Sequence, residues 1–488
     1  MSYPGGEKAG RTCPDSNVTT QTNQALHAFS GSYAGTILFV GFGSVGQALL
    51  PLLFRHFDLS PRQIRIVTAD ERGMDVATLF NVAFTVQPLT PENHREVLGR
   101  LLPRGGILIN VSVDVASLSL IDWCQDHGVR YLDTCIEPWV GGYTDPALPV
   151  EHTTNWWLRE QVLARRGPGR PTAVVAHGAN PGLISHFVKA GLERLAGLRG
   201  VAFAASAGNH AEMARDLGVR VVQIAERDTQ HGGPPLPPGG FANTWSADGL
   251  MAEAFQRAEL GWGSHEGALP AGATPLGSGG RSLYLPEPGV RTRVRSWVPS
   301  AGEQSAYLLT HHESLSIADL LTVADGAGAP EAPEVPAYRP TVYYAYRPCP
   351  AAETSLEDWA ASGFAELGYK FLLRNDLSGG GDELGALFVF DGGAYWYGST
   401  LTLEEARHLA PCNNATTLQV AAPLLAAVAW LVEHPDEGVV EAESLDHEFV
   451  LDIARPYLGR IEGILSAWNP KGVGRAGGLQ FSDFIAAS

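Results

Sequence analysis

Apolar residues come in short bursts from residue 36 onward, separated by longer amphipathic stretches. Residues 36–41 (TILFVG), 63–69, 82–86, 106–113 and 129–135 read as short strands buried on both faces. Residues 44–55, 91–102 and 116–127 between them carry helical spacing, and a helix over 151–166 precedes a strand at 172–177. Strands alternating with helices through short connections predict an N-terminal Rossmann-type, doubly wound parallel sheet. Beyond residue 178 the pattern changes. Helices are expected over 181–195, 246–257 and 416–433, and strands over 219–225, 290–298, 307–317, 341–346, 386–390 and 394–398. Asp391-Gly392-Gly393 marks a hairpin, and Thr402 with Glu405 a capping box. The fold class is therefore α/β, with an α+β domain after the parallel sheet. The boundaries expected are a flexible tail at 1–35, a dinucleotide domain at 36–178, the α+β domain at 179–400, and a mostly helical segment at 401–488 packing back on the core. Gly/Pro-rich residues 261–289 read as a loop fit to cover a site, and Pro/Ala-rich 326–337 as a surface insertion.

Composition narrows the classes. With 488 residues and 45% apolar residues the chain has material for two or three domains. Its 34 basic and 52 acidic residues give a net charge of −18, a field that repels nucleic acid and anionic membrane and attracts cations. Cys13, Cys124, Cys135, Cys349 and Cys412 show no C-x-x-C spacing, which fits a reducing cytoplasm. The first 35 residues lack a signal-peptide pattern, and the apolar run 420–432 is too short to span a bilayer. Only Lys8, Lys189, Lys370 and Lys471 are available for any Schiff-base chemistry.

The sharpest motif is Gly41-Phe42-Gly43-Ser44-Val45-Gly46, placed after an apolar strand and opening a helix, the context a dinucleotide fingerprint requires. Gly41 permits the turn, Gly43 admits the pyrophosphate, Gly46 allows helix–strand packing, and the amides of Ser44 and Val45 face the phosphate charge. Thr68 stands at the second strand's end where an acid is expected. Asp70 two residues on favours NAD, while Arg72 leaves NADP open.

Ligands of open α/β sheets sit at the strands' carboxyl ends. There the sequence offers Ser112, Asp114, Asp133, Thr134, Glu137, Asn180 and Pro181. Asp114 and Asn180 also suit helix N-caps, with Pro181 at the first helical position. Glu226 ends a strand in a polar run, and Trp245, Gly249 and Glu253 recur at helical spacing. An aromatic plane and a carboxylate flanking a glycine gap suit an alkylammonium, although a core Trp and a solvated Glu are the plain alternative. His311, His312 and Glu313 fall in the expected strand over 307–317, with His311 and Glu313 on one face. No H-E-x-x-H, C-x-x-C or G-x-S-x-G occurs, so neither a metal centre nor a serine hydrolase is expected.

Together FVGFGSVGQALLPLL, NVSVD, YLDTCIEPW, GANPG, IAERDTQ, NTWSADGLMAEA, AELGWG, TRVRSW and THHESLSIAD resemble the bacterial homospermidine synthases, from about residue 36 to 468. The resemblance implies a saccharopine-dehydrogenase-like fold whose second domain is catalytic and dimerising, NAD held as a prosthetic group, and a homodimer. It also implies synthesis of homospermidine from two putrescines, with ammonia released, or from putrescine and spermidine. By the same resemblance Trp245 holds cationic intermediates, with Glu226, Asn180, Glu137, Asp114, Glu253 and His311 around the substrate. The alternative is a saccharopine- or carboxynorspermidine-type dehydrogenase, which needs an arginine clamp such as Arg291, Arg293 and Arg295.

Overall fold

The computed structural model describes residues 29–486 apart from 202–208, 234, 278–279, 325–335, 411–412 and 472–477. Most of the expected tail and of the 326–337 insertion lie outside the described residues. Where the tail ends, Gly31–Ser32 is already a strand, paired in parallel with Phe57–Asp58.

Seven parallel strands form the first sheet, in the order Val439–Glu441, Ala173–Val175, Arg130–Asp133, Ile107–Asn110, Ile37–Val40, Ile64–Thr68, Ala83–Val86. Ile37–Val40 is fully buried, as a central parallel strand covered on both faces must be. From it the chain winds outward through Ile64–Thr68 to Ala83–Val86 and then restarts at Ile107–Asn110 on the opposite side. The crevice opens at that reversal. The helix Met74–Leu79 was not foreseen, because only Val76 and Ala77 of its six residues are buried and no apolar stripe shows.

The second sheet is mixed and has ten strands. At its centre Val219–Asp228 pairs in parallel with Thr341–Arg347 and antiparallel with Gly381–Phe390. Three expectations are corrected here. The 307–317 strand ends at Leu309, and Glu313–Leu320 is a helix. Leu315 and Ile317 alternate with serines and so mimic a strand, but Ala318 and Leu321 continue at helical spacing and are buried. The 261–289 stretch is not a loop throughout, since Thr274–Leu276 pairs with Ser282–Pro288, which in turn pairs with Arg257–Gly261. Nor is 401–488 a purely helical segment: Arg460–Ser466 pairs with Gly393–Thr402, and Val439–Glu441 completes the first sheet.

The helix Ala415–Glu433 packs against Ser44–His56 of the first sheet's layer and belongs to the core cluster shared by both sheets. Its length and hydropathy match those of a membrane span, yet it lies in the molecule's interior.

Candidate active site

The glycine-rich turn is built by three different exclusions. Gly41 has φ +80°, and a Cβ there would lie 2.8 Å from the backbone of Ser112. A Cβ at Gly46 would press on the Phe42 ring at 3.0 Å and on Val111. At Gly43 nothing lies within 4 Å, so the backbone at the start of Ser44–His56 faces open space. A side chain would fill a cradle at that position, and the exposed amides of a helix N-terminus suit a diphosphate. Ser44 is buried and its hydroxyl donates to the carbonyl of Trp245, tying this turn to the second domain.

The other cofactor candidates divide. Thr68 ends its strand, half-buried, while Asp70 accepts from Arg72 Nε at 2.8 Å near the surface. Ser112 donates to Asn110 at 2.6 Å, close under Gly41. Thr134 packs near Gly178. Asp133 is fully buried, taking Ala176 N–H at 2.6 Å and Tyr131 hydroxyl at 2.7 Å, and desolvation pushes its pKa up to about 7. Its carboxylate shapes the adjacent loop, whose Ala176 has φ +52°.

Neither proposed cap is used. Asp114 has φ +64° and leaves the N-cap of Ser117–His127 to Ala116. The Asn180–Pro181 peptide is cis, and the next helix, Leu183–Arg199, starts two residues late with Gly182 as its cap. Glu313 takes the Gly182 N–H at 2.9 Å, which fixes this turn. Asn180 is thereby free to donate to Glu226 Oε2 at 2.7 Å.

From Glu226 a continuous string of contacts runs through the site. Tyr344 donates to the same carboxylate at 2.6 Å. The ring of Tyr344 lies against His311 with centroids 4.4 Å apart, and His311 Nε2 is 3.5 Å from Glu253 Oε1. The other oxygen of Glu253 is buried without a partner. Glu137 is held from behind by Ser117, whose Oγ accepts its N–H at 3.1 Å, and its carboxylate accepts from the Cys135 thiol. Burial pushes Glu137 up to about 8, reinforced by the Asp114 and Glu253 carboxylates. Glu226 moves the same way, chiefly by burial and then by Asp228 and Glu253. Asp114 is exposed at the rim, with its pKa raised by partial desolvation and the nearby Asp248. Trp245 stacks its six-membered ring over Gly249, where a Cβ would be 2.6 Å away. One turn further along that helix stands Glu253.

The sequence had not pointed to Tyr344, Asp382 or the role of Glu313, and it placed Asp228 only within the polar run after the strand. Asp382 sits opposite Asp228 in the ladder, so both share the face of Glu226, two residues along the same strand. Alternation of Tyr344 and Tyr346 in Thr341–Arg347 was the available signal. Among the described residues no arginine or lysine pairs with Glu137, Glu226, Asp228, Glu313 or Asp382. Buried acids that accept hydrogen bonds but have no Lys or Arg partner favour a cationic guest.

The arginines suited to a carboxylate clamp are engaged elsewhere. Arg291 pairs with Glu287, Arg293 with Glu353 and Glu357, and Arg295 with Glu303.

A dinucleotide crevice opening onto unpaired carboxylates defines a class of enzyme. Residues 37–174 match the saccharopine dehydrogenase NADP binding domain, and residues 178–465 the saccharopine dehydrogenase C-terminal domain. The homospermidine synthase of Blastochloris viridis is 44% identical over 445 residues, 89% of this chain and 92% of that one. That of Mesorhizobium japonicum is 41% identical over 452 residues, 90% and 92% of the two chains. The crystal structure of the Legionella pneumophila homospermidine synthase in complex with NAD superposes with a TM-score of 0.85 at 39% identity, covering 94% of this chain and all of that one. The chain belongs to the homospermidine synthase family, within the saccharopine-dehydrogenase-like enzymes.

Proposed function

We propose that the protein joins two putrescines into homospermidine with release of ammonia, using NAD that stays bound through turnover. Spermidine can replace one putrescine, releasing diaminopropane instead. The observation that carries this reading is the string Asn180–Glu226–Tyr344–His311–Glu253 beside Trp245, in which Glu226 is buried with no basic partner and Glu253 faces only His311. A diamine supplies the missing positive charges. The alternative, an amino-acid dehydrogenase, lacks its arginine clamp at the three arginines proposed for it.

Gly41, Gly43, Ser44, Val45 and Gly46 would hold the cofactor diphosphate and Thr68 and Asp70 its ribose, with Ser112, Thr134 and Pro181 along the crevice. When bound, NAD supplies reversible hydride acceptance. The residues of the chain do the remainder. An alkylammonium with a pKa near ~10.4 must lose a proton before its carbon can give up hydride. An ammonium arriving beside Glu137 displaces the proton that burial keeps on it near neutrality, and the carboxylate so formed would accept the ammonium's proton before hydride leaves. Glu226, fixed by Asn180 and Tyr344, and Glu253, against His311, anchor the ammonium ends. Oxidation leaves a cationic iminium of the substrate. The second amine adds to that carbon, ammonia departs, and the returning hydride reduces the new imine. The face of Trp245 stabilises the cation, a contact worth about 2 kcal/mol or more once water is excluded. Ser44 holds the carbonyl of Trp245, which keeps the indole in register with the cofactor turn.

The decisive experiment supplies putrescine deuterated at its nitrogen-bearing carbons, together with unlabelled NADH. The expected product is homospermidine that keeps the label, with no net NADH. Loss of label to the added pool refutes retention, and absence of homospermidine refutes the reaction. The free thiols Cys124, Cys135 and Cys349 support a reducing cytoplasm, and the charge of −18 favours small cations over nucleic acid. The homodimer that the resemblance implies is tested by light scattering.

A further inference from the structure

Among the described residues outside the active site, one group of metal-ligand side chains converges. Glu193 lies in the helix Leu183–Arg199, His210 opens His210–Asp216, and His447 opens His447–Ala454. His210 Nε2 is 2.9 Å from Glu193 Oε1, and His447 Nε2 is 3.2 Å from Glu193 Oε2. The two imidazoles stand perpendicular at 88°, with centroids 5.7 Å apart. One ligand atom from each residue falls within 4.8 Å of the others. Around a tetrahedral zinc with bonds of ~2.0–2.1 Å, ligand atoms are about 3.4 Å apart, so closing the group needs movement on the order of an ångström.

Glu193 and His447 also line a groove of about 820 Å³, together with the acids Glu448, Asp452 and Glu462 and the bases Arg194 and Arg455. Four acids against two arginines leave the groove net acidic, which favours the approach of cations. We propose that Glu193, His210 and His447 form a divalent transition-metal site, with zinc as the class of ion it takes. Two imidazoles and one carboxylate are borderline ligands that select zinc over magnesium or calcium, which prefer all-oxygen shells. A bound ion would clasp three helices. Glu193 is ten residues beyond Leu183, about 15 Å along the helix from the turn that carries Asn180. The ion would therefore brace that helix and take no part in the chemistry.

The test uses the full-length protein stripped with chelator and desalted, titrated with zinc chloride against a chromophoric chelator. One equivalent of zinc is expected to bind and to raise the melting temperature, with magnesium giving neither effect. His447→Gln, at a partly exposed position, and Glu193→Gln should each weaken binding by about tenfold or more and abolish the thermal shift. His311→Ala, in the active site, should leave zinc affinity unchanged. Absence of binding, equal binding of magnesium, or zinc affinity unaltered in both the His447 and Glu193 variants overturns the proposal. The trio is then an ion-paired helix clasp alone.

Discussion

The glycine turn and the acid row face each other across the crevice, and they are made in opposite ways. Six contiguous residues, 41–46, create the turn by omitting side chains, and each glycine omits one for a different reason. The acid row is an accumulation. Glu137, Asn180, Glu226, Glu253, His311 and Tyr344 come from six separate segments and meet only after both sheets have formed. A pocket for an anion thus rests on backbone geometry, and a pocket for a cation on buried charge that folding must tolerate.

The largest expected effect of disturbing this arrangement falls on the cation side. Trp245→Ala removes the ring and admits water, so turnover should fall by more than a hundredfold with aldehyde escaping, while Trp245→Phe should lose roughly tenfold. Equal impairment of both variants, with folding intact, would assign the indole to packing. Glu226→Gln removes charge but keeps shape, and diamine binding measured by calorimetry should weaken by about tenfold or more. Unchanged binding would transfer the anchor to Glu253.

Gly43→Ala sharpens the contrast on the anion side. Its methyl meets no protein atom within 4 Å, so the melting temperature should hold while dinucleotide affinity drops about tenfold. Gly41→Ala, strained at φ +80° and blocked by Ser112, should lose stability as well. A smaller effect is set by pH. Glu137 has its pKa raised from 4.5 to about 8, so its contribution to stability is fully present below about pH 4.5 and lost as pH rises through 8. The ligand-free enzyme should melt progressively lower across that window, and Glu137→Gln should flatten part of the slope. The smallest change is Asp70→Ala, within about threefold in NAD affinity, because Asp70 is near the surface and already shared with Arg72.

Legibility in the sequence follows the same division. The turn, its flanking strand and most of the parallel sheet were legible because the needed residues are neighbours. Glu226, Trp245 and Glu253 stood out as polar or aromatic residues beside strand ends and in helical spacing. Their partners did not. Tyr344 looked like one more strand aromatic, and Glu313 like part of a strand, since its helical continuation competes with a local alternation. Asp133 shows the converse. Its place at a strand end matched a cofactor ligand, but the backbone of Ala176 claims its carboxylate. Glu193, His210 and His447 escape any spacing rule, being separated by 17 and 254 residues from the shared carboxylate.

The strand Val439–Glu441 gives the first sheet an unusual calendar. A ribosome finishes six of its seven strands by residue 175, yet the edge at Ala173–Val175 waits for more than 250 further residues before its partner is made. Arg130, whose guanidinium donates to the carbonyl of Leu431, waits longer still. Until then the nascent sheet offers a bare ladder to any other extended chain, a hazard for aggregation. Cutting the gene at the apparent boundary near residue 178 would make that interval permanent, so the cofactor half is a poor candidate for separate expression. The chain closes its first sheet nearly last, as a strap is drawn through a buckle already sewn in place.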